Sequence, residues 1–120
     1  MEDVLQTFGV PADDGRLTAE IIMDCELRGY PDHGIHYLHS NVSLFYRLGM
    51  NPKPEITVIH ECPTMTLYDG DGGIGTVSAT QAMERCIEQA SKYGIAMAGV
   101  QNSRFLWRGL RTLCRRLKRE

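Results

Sequence analysis

The sequence has no apolar run long enough to cross a bilayer and no signal-peptide pattern at its start, so the cytoplasm is the default location. It has no CxxC pair. Its four cysteines, Cys25, Cys62, Cys86 and Cys114, lie far apart, which argues against a disulfide framework or a zinc site and for packed free thiols. It has no internal repeats, which excludes a solenoid. It also lacks a calcium loop of the EF-hand type. Asp69 and Asp71 begin like one, but Gly73 stands where a third ligand belongs and no glutamate follows at the required distance.

What is present is a chain of 120 residues, 42% hydrophobic, which suits one domain or a piece of a larger one. The net charge of −2 conceals an asymmetry. Residues 104–120 hold seven of the thirteen basic side chains and one acid, whereas residues 1–103 hold six basic and fourteen acidic side chains. Such a break marks a basic arm suited to nucleic acid or an acidic partner.

Hydrophobic spacing sets the elements. A short helix over 1–8 is stopped by Gly9 and Pro11. Asp13 is placed to cap a second helix, whose stripe is Leu17, Ile21 and Cys25, with Ile22 and Leu27 beside it. Gly29 and Pro31 end it. A third helix over 34–48 carries Ile35, Leu38, Val42, Phe45 and Leu48, and the Asn51-Pro52-Lys53-Pro54 connector follows Gly49. Residues 56–62 and 64–68 read as paired strands. A central helix over 76–93 presents Val77, Ala79, Met83, Ile87 and Ala90 to a core, and residues 95–100 read as a buried strand beneath it. The expected class is α/β or α+β: three N-terminal helices, then a β-β-α-β unit.

Asp69-Gly70-Asp71-Gly72-Gly73-Ile74-Gly75 contains the spacing of a dinucleotide-binding loop. Three features oppose that reading. Two aspartates occupy the place of a pyrophosphate, the preceding strand is short and not continuously apolar, and no acid closes a following strand to hold a ribose. A tight turn that uses glycines at positive φ fits better.

His33 is the candidate for proton transfer near neutral pH. It sits between Asp32 and Gly34, in a loop that enters a helix; an exposed turn histidine is the alternative. His36 and His39 follow at spacings that share a helix face, but no cysteine or carboxylate completes a metal set nearby, so no metal site is expected. His60 reads as a strand residue and Cys86 as packed rather than reactive. Asn102 and Ser103 lie at a strand end, where functional loops gather.

Five ordered segments carry a resemblance: Arg28-Gly29-Tyr30-Pro31-Asp32-His33-Gly34-Ile35, Gly49-Met50-Asn51-Pro52-Lys53-Pro54, the 69–75 loop, Ala82-Met83 with Ile87-Glu88 and Ala90, and Gly94-Ile95 leading to Asn102-Ser103. Over residues 1–103 the chain resembles the malate/L-lactate dehydrogenase family, also called sulfolactate dehydrogenase-like. The resemblance implies an oxidoreductase that uses NAD or NADP to interconvert 2-hydroxy and 2-oxo acids, has a non-Rossmann fold and works as a dimer. It implies that the glycine loop is structural and that later sequence holds most of the cofactor, leaving the cofactor residues of this chain unknown. It also implies that His33 is the catalytic proton donor, and that Asp32, Tyr37, Asn102 and Ser103 lie at the substrate. Asp32 replaces the family's usual serine, and Tyr37 stands where an arginine for the substrate carboxylate often lies. After Ser103 the family's second histidine is missing.

The chain stops well short of the family's usual length, so the expectation is a truncated N-terminal portion, inactive alone and prone to associate through exposed apolar patches. Residues 104–120 read as a basic tail, with Leu106, Leu110, Leu113 and Leu117 on one side of a helix. A shifted reading frame accounts for it: moving the codons of residues 106–116 by one base permits Phe-Gly-Ala-Ala-Tyr and further alanines, as in the family's helix. The competing class is a small stand-alone module whose tail, with Phe105 and Trp107 among its arginines, contacts nucleic acid or an acidic protein. The frame-shift reading makes a nucleic-acid partner unnecessary.

Overall fold

A computed structural model describes residues 1–47 and 49–106, without the side chains of residues 37, 38, 40, 41, 44 and 46. The expected positions Leu38 and Leu48, the Tyr37 side chain, Cys114 and the tail helix beyond Leu106 therefore lie outside the described residues.

Helix α1 (Glu2–Thr7) leads into α2 (Ala12–Leu27). Pro11 precedes α2 and no side chain caps it. Asp13, expected as the cap, lies instead in the first turn with Asp14, where both complement the helix dipole. The α2 stripe packs as its spacing requires: Ile21, Ile22 and Cys25 are buried. Leu27 departs from the expectation and is exposed, because two residues on from the buried Cys25 it points to nearly the opposite side of the helix. At the helix end the amide of Tyr30 donates to the Cys25 carbonyl and that of Gly29 to the Glu26 carbonyl, both at 3.0 Å. Gly29 takes φ +76°, completing a Schellman stop. A one-turn 3-10 helix (Pro31–His33) then reverses the chain into α3 (Ile35–Arg47).

Strands β1 (Thr57–Cys62), β2 (Met65–Asp69) and β3 (Met97–Gln101) form one mixed sheet in that order. β1 pairs antiparallel with β2, with a bulge between Val58 and His60; β2 pairs parallel with β3. Helix α4 (Gly75–Tyr93) connects β2 to β3 and covers the face carrying Thr66 and Tyr68, both buried. The order confirms three N-terminal helices followed by a β-β-α-β unit.

Two expectations about the core change. The apolar stripe of α4 is only half-buried, and its buried positions include Thr76, Ser78, Thr80 and Gln89. Gln89 makes the helix–sheet joint polar: its amide donates to the Cys62 carbonyl at 3.0 Å, and its carbonyl oxygen lies 3.2 Å from the Thr66 hydroxyl. β3 was expected to be buried, yet Met97 is 61% exposed, because α4 covers one sheet face only. Apolar side chains gather instead between the helices and the start of α4, where Leu5, Val10, Ile21, Ile22, Met50 and Ile74 form the buried cluster. Phe45 packs against this cluster and stacks on Phe8 with ring centroids 5.1 Å apart.

The glycine loop joins the two halves. The amides of Gly70 and Gly72 donate to the carbonyls of Gln101 (2.9 Å) and Asn102 (2.7 Å), and that of Gly75 to Phe105 (3.1 Å). In return the Arg104 amide donates to the Gly73 carbonyl at 2.9 Å. A Cβ at Gly75 would come within 2.6 Å of the Arg104 carbonyl oxygen, a backbone atom that cannot swing away. Gly75→Ala is therefore expected to destabilise the fold by about 2 kcal/mol, the cost of overpacking a fixed contact. Urea unfolding followed by far-UV circular dichroism checks this, and an unchanged midpoint would refute the contact's importance.

Candidate functional site

Asp32 and His33 sit on the 3-10 turn between α2 and α3. Proline restricts φ at position 31, and the amides of His33 and Gly34 donate to the carbonyls of Tyr30 (3.0 Å) and Pro31 (3.2 Å). The turn is thus rigid at the residue proposed for chemistry. His33 Nδ1 lies 3.3 Å from Asp32 Oδ2 and is shielded from solvent, whereas the side chain as a whole is 38% exposed. The accessible surface therefore belongs to the rest of the ring, which carries Nε2. A partly exposed imidazole with a carboxylate 3.3 Å from Nδ1, set on a rigid turn, is an arrangement able to act as a proton donor.

Glu26 completes this turn, and sequence reasoning missed it. Its Oε2 accepts the Ile35 amide at 2.9 Å, so a carboxylate from α2 caps α3 across nine residues. The same carboxylate fills the space where a side chain at Gly34 would project. No periodicity or local capping box signals such a contact, since donor and acceptor lie on opposite sides of a turn. Glu26→Ala should cost about 1 kcal/mol, the usual loss of a helix cap, and loosen the His33 turn. Thermal unfolding and amide exchange at Ile35 measure both effects. Unchanged protection at Ile35 would remove the capping role.

Asn102 and Ser103 lie at the end of β3, held by the glycine loop. Asn102 takes φ +48°, a left-handed conformation that asparagine tolerates. Its Nδ2 donates to Asp69 Oδ1 at 2.9 Å, and the Gln101 amide group donates to Asp69 Oδ2 at 3.3 Å. The Asp71 backbone amide also donates to Asp69 Oδ1, at 2.8 Å. These donors hold the Asp69 carboxyl below the usual carboxylate range, the Asp71 amide contributing most, then Asn102 and Gln101. Ser103 packs its Cβ and backbone over Gly70. The two candidate pairs thus have separate anchors: Asp32 and His33 on the α2–α3 turn, Asn102 and Ser103 on the loop after β3. Tyr37 falls in the first turn of α3, its side chain outside the described residues.

Because Asp69 is depressed in the folded state, its contribution to stability is present above the ordinary carboxylate range. It is lost as pH falls through the lower, folded-state value. Asp69→Asn should remove that acid-side component, so the decline of stability below about pH 4 becomes shallower. Denaturant midpoints across acidic pH test this; parallel profiles for both proteins would rule it out.

The glycine loop does not fit a dinucleotide. Its amides at Gly70, Gly72, Gly73 and Gly75 all donate to protein carbonyls, and Asp69 and Asp71 flank it with negative charge. These glycine amides are thus engaged within the protein, and the chain after β3 lies on the loop. His36, His39 and His60 are exposed, and among the described residues no three His, Cys, Asp or Glu side chains group as a metal set. Burial raises the Cys86 thiol above its ordinary value, which disfavours the reactive thiolate.

A family model described as malate/L-lactate dehydrogenase matches residues 1–109. The chain belongs to the malate/L-lactate dehydrogenase family. It is similar to the L-sulfolactate dehydrogenase of Methanocaldococcus jannaschii, 36% identical over 101 residues that make up 84% of this chain and 29% of that protein. The malate dehydrogenase of Pyrococcus abyssi is 38% identical over 100 residues, 83% of this chain and 28% of that one. The solved malate dehydrogenase structure from Pyrococcus horikoshii OT3 superposes with a TM-score of 0.90 at 32% identity, covering 95% of this chain and 33% of that one. The chain thus spans about 30% of the length of the curated relatives it matches. The mixed fold of these dehydrogenases is the one expected from the sequence, and the glycine spacing marks a structural turn within it.

Proposed function

We propose that this chain is the N-terminal portion of an oxidoreductase that interconverts a 2-hydroxy acid and a 2-oxo acid. The observation that supports this most is the sequence match to dehydrogenases of malate and sulfolactate, at 36 to 38% identity over more than four-fifths of the chain. In this reading His33 gives a proton to the carbonyl oxygen of the oxo acid and recovers it from the hydroxyl in the reverse direction. Asp32, with its carboxylate 3.3 Å from Nδ1, holds that side of the imidazole against the turn. Tyr37, Asn102 and Ser103 contact substrate, with Asn102 kept in register by its bond to Asp69. The nicotinamide cofactor, NAD or NADP, belongs to residues beyond the described ones, and no step of this chain's chemistry is routed through the glycine loop. The working form is a homodimer in the cytoplasm. Among the described residues no helix is long and apolar enough to cross a membrane.

The 120-residue chain by itself is read as inactive. The sheet face left uncovered by the described residues and the exposed Leu27, Ile95 and Met97 are surfaces that the rest of a full-length dehydrogenase would bury. The alternative of a nucleic-acid module resting on the basic tail concerns residues 107–120, outside the described ones, and no observation in the fold favours it.

Grafting residues 1–106 onto the remaining sequence of the Methanocaldococcus jannaschii relative tests the reading. The chimera is expected to oxidise NADH with 2-oxo acids. His33→Ala in that chimera should lower kcat by roughly 10²–10⁴, the usual loss of a general acid, with little change in fold. A chimera that folds but turns nothing over would sink the assignment of function. One in which His33→Ala keeps full turnover would sink the proton-donor role alone.

A further inference from the structure

His33 stands between two anchors on the last turn of α2. On its N-terminal side the Tyr30 amide donates to the Cys25 carbonyl at 3.0 Å, and the His33 amide donates to the Tyr30 carbonyl at 3.0 Å. On its C-terminal side the Ile35 amide donates to Glu26 Oε2 at 2.9 Å. Cys25 and Glu26 are neighbours, so both ends of the turn return to one place on the helix. Gly34 lets the second anchor form. It is buried, and the Glu26 side chain lies along it: an added Cβ would meet Oε2 and come within 2.9 Å of Cδ and 3.4 Å of Cβ. Gly34 has φ −95°, outside the left-handed region that favours glycine, so the demand for glycine there is one of space.

We propose that Glu26 is a positioning residue for proton transfer at His33, acting through a clasp that only glycine at position 34 admits. Its effect on turnover rests on the oxidoreductase reading; its effect on the ring does not. A general acid works when its proton is held within reach of the oxygen it serves, and a misplacement of about 1 Å costs on the order of 10²-fold. The end of α2 is a fixed support, with Ile21, Ile22 and Cys25 buried. Tying both ends of the turn to that support passes its rigidity to a side chain that is itself 38% exposed. Glu26 acts through the backbone of residues 34 and 35, and so controls where the imidazole stands.

NMR relaxation of the His33 ring in the full 120-residue chain tests the clasp without turnover. Glu26→Ala is expected to make the ring more mobile. Glu26→Gln keeps an oxygen that accepts the Ile35 amide and is expected to retain the original relaxation. Gly34→Ala should match Glu26→Ala, because its methyl group displaces the flexible end of the glutamate. The double variant should be no looser than either single one, since both remove the same contact. In the chimera with the Methanocaldococcus jannaschii relative, Glu26→Ala and Gly34→Ala should each lower kcat about tenfold with KM little changed, and Glu26→Gln should restore it. Unchanged ring relaxation or full kcat in Glu26→Ala, no rescue by Glu26→Gln, or additive losses in the double variant would each overturn the proposal. An unmutated chimera that turns nothing over counts against the oxidoreductase reading instead, and the ring measurements then decide whether the clasp holds His33.

Discussion

The structure depends on a hydrogen-bonded knot in which three distant segments meet at the glycine loop. Asp71 is its centre. Its carboxylate accepts the Asn51 side-chain amide at 2.7 Å and the Glu55 backbone amide at 3.0 Å, fixing the proline-rich connector. Its own backbone amide donates to Asp69, which in turn holds Asn102. The strip after β3 then closes over the loop through four backbone bonds. Connector, glycine loop and the strip after β3 are therefore registered against one another by backbone groups and two aspartates, while the apolar cluster of Leu5, Val10, Ile21, Ile22, Met50 and Ile74 seats the helices. Glycine is needed where this strip passes, because Cβ atoms at Gly70 and Gly75 would meet backbone and side-chain atoms of residues 102–105.

That knot gives the nucleotide-like glycine spacing a structural use. Glycine allows close approach of another backbone, whether the visitor is a pyrophosphate or a strand. Here the visitor is the protein itself. The aspartates that would repel phosphate are acceptors for amides, and their charge is used inside the chain. The consequence is positional: Asn102 and Ser103 are held at the end of β3 by the same bonds that fill the loop.

The helix–sheet joint follows a similar economy. α4 meets the sheet through Gln89, Thr66 and the Cys62 carbonyl, and Arg85 reaches from α4 to Glu61 of β1 at 2.5 Å. The hydrogen bond from Arg85 holds the Glu61 carboxyl below its ordinary value, and the same guanidinium reaches Glu88 at 3.1 Å. Among the described residues the sheet has polar clasps on one face and no helix packed on the other. This agrees with a chain that spans under a third of its curated relatives.

Periodicity, glycine stops and paired β-rich runs were enough to place four helices and three strands in order, because each is a local property of a few neighbouring residues. The family was legible too, since its segments keep their order along the chain. The sequence alone also set aside the phosphate-binding reading of the glycine loop, from the charge of Asp69 and Asp71. Only the tertiary structure decided what fills that loop, that Glu26 caps the turn of His33, and that Thr76, Ser78 and Gln89 rather than the apolar stripe are buried in α4. These outcomes depend on residues nine to more than thirty positions apart meeting in space. Local patterns carry no record of such meetings, because the energy that selects them comes from close packing and hydrogen-bond satisfaction between elements.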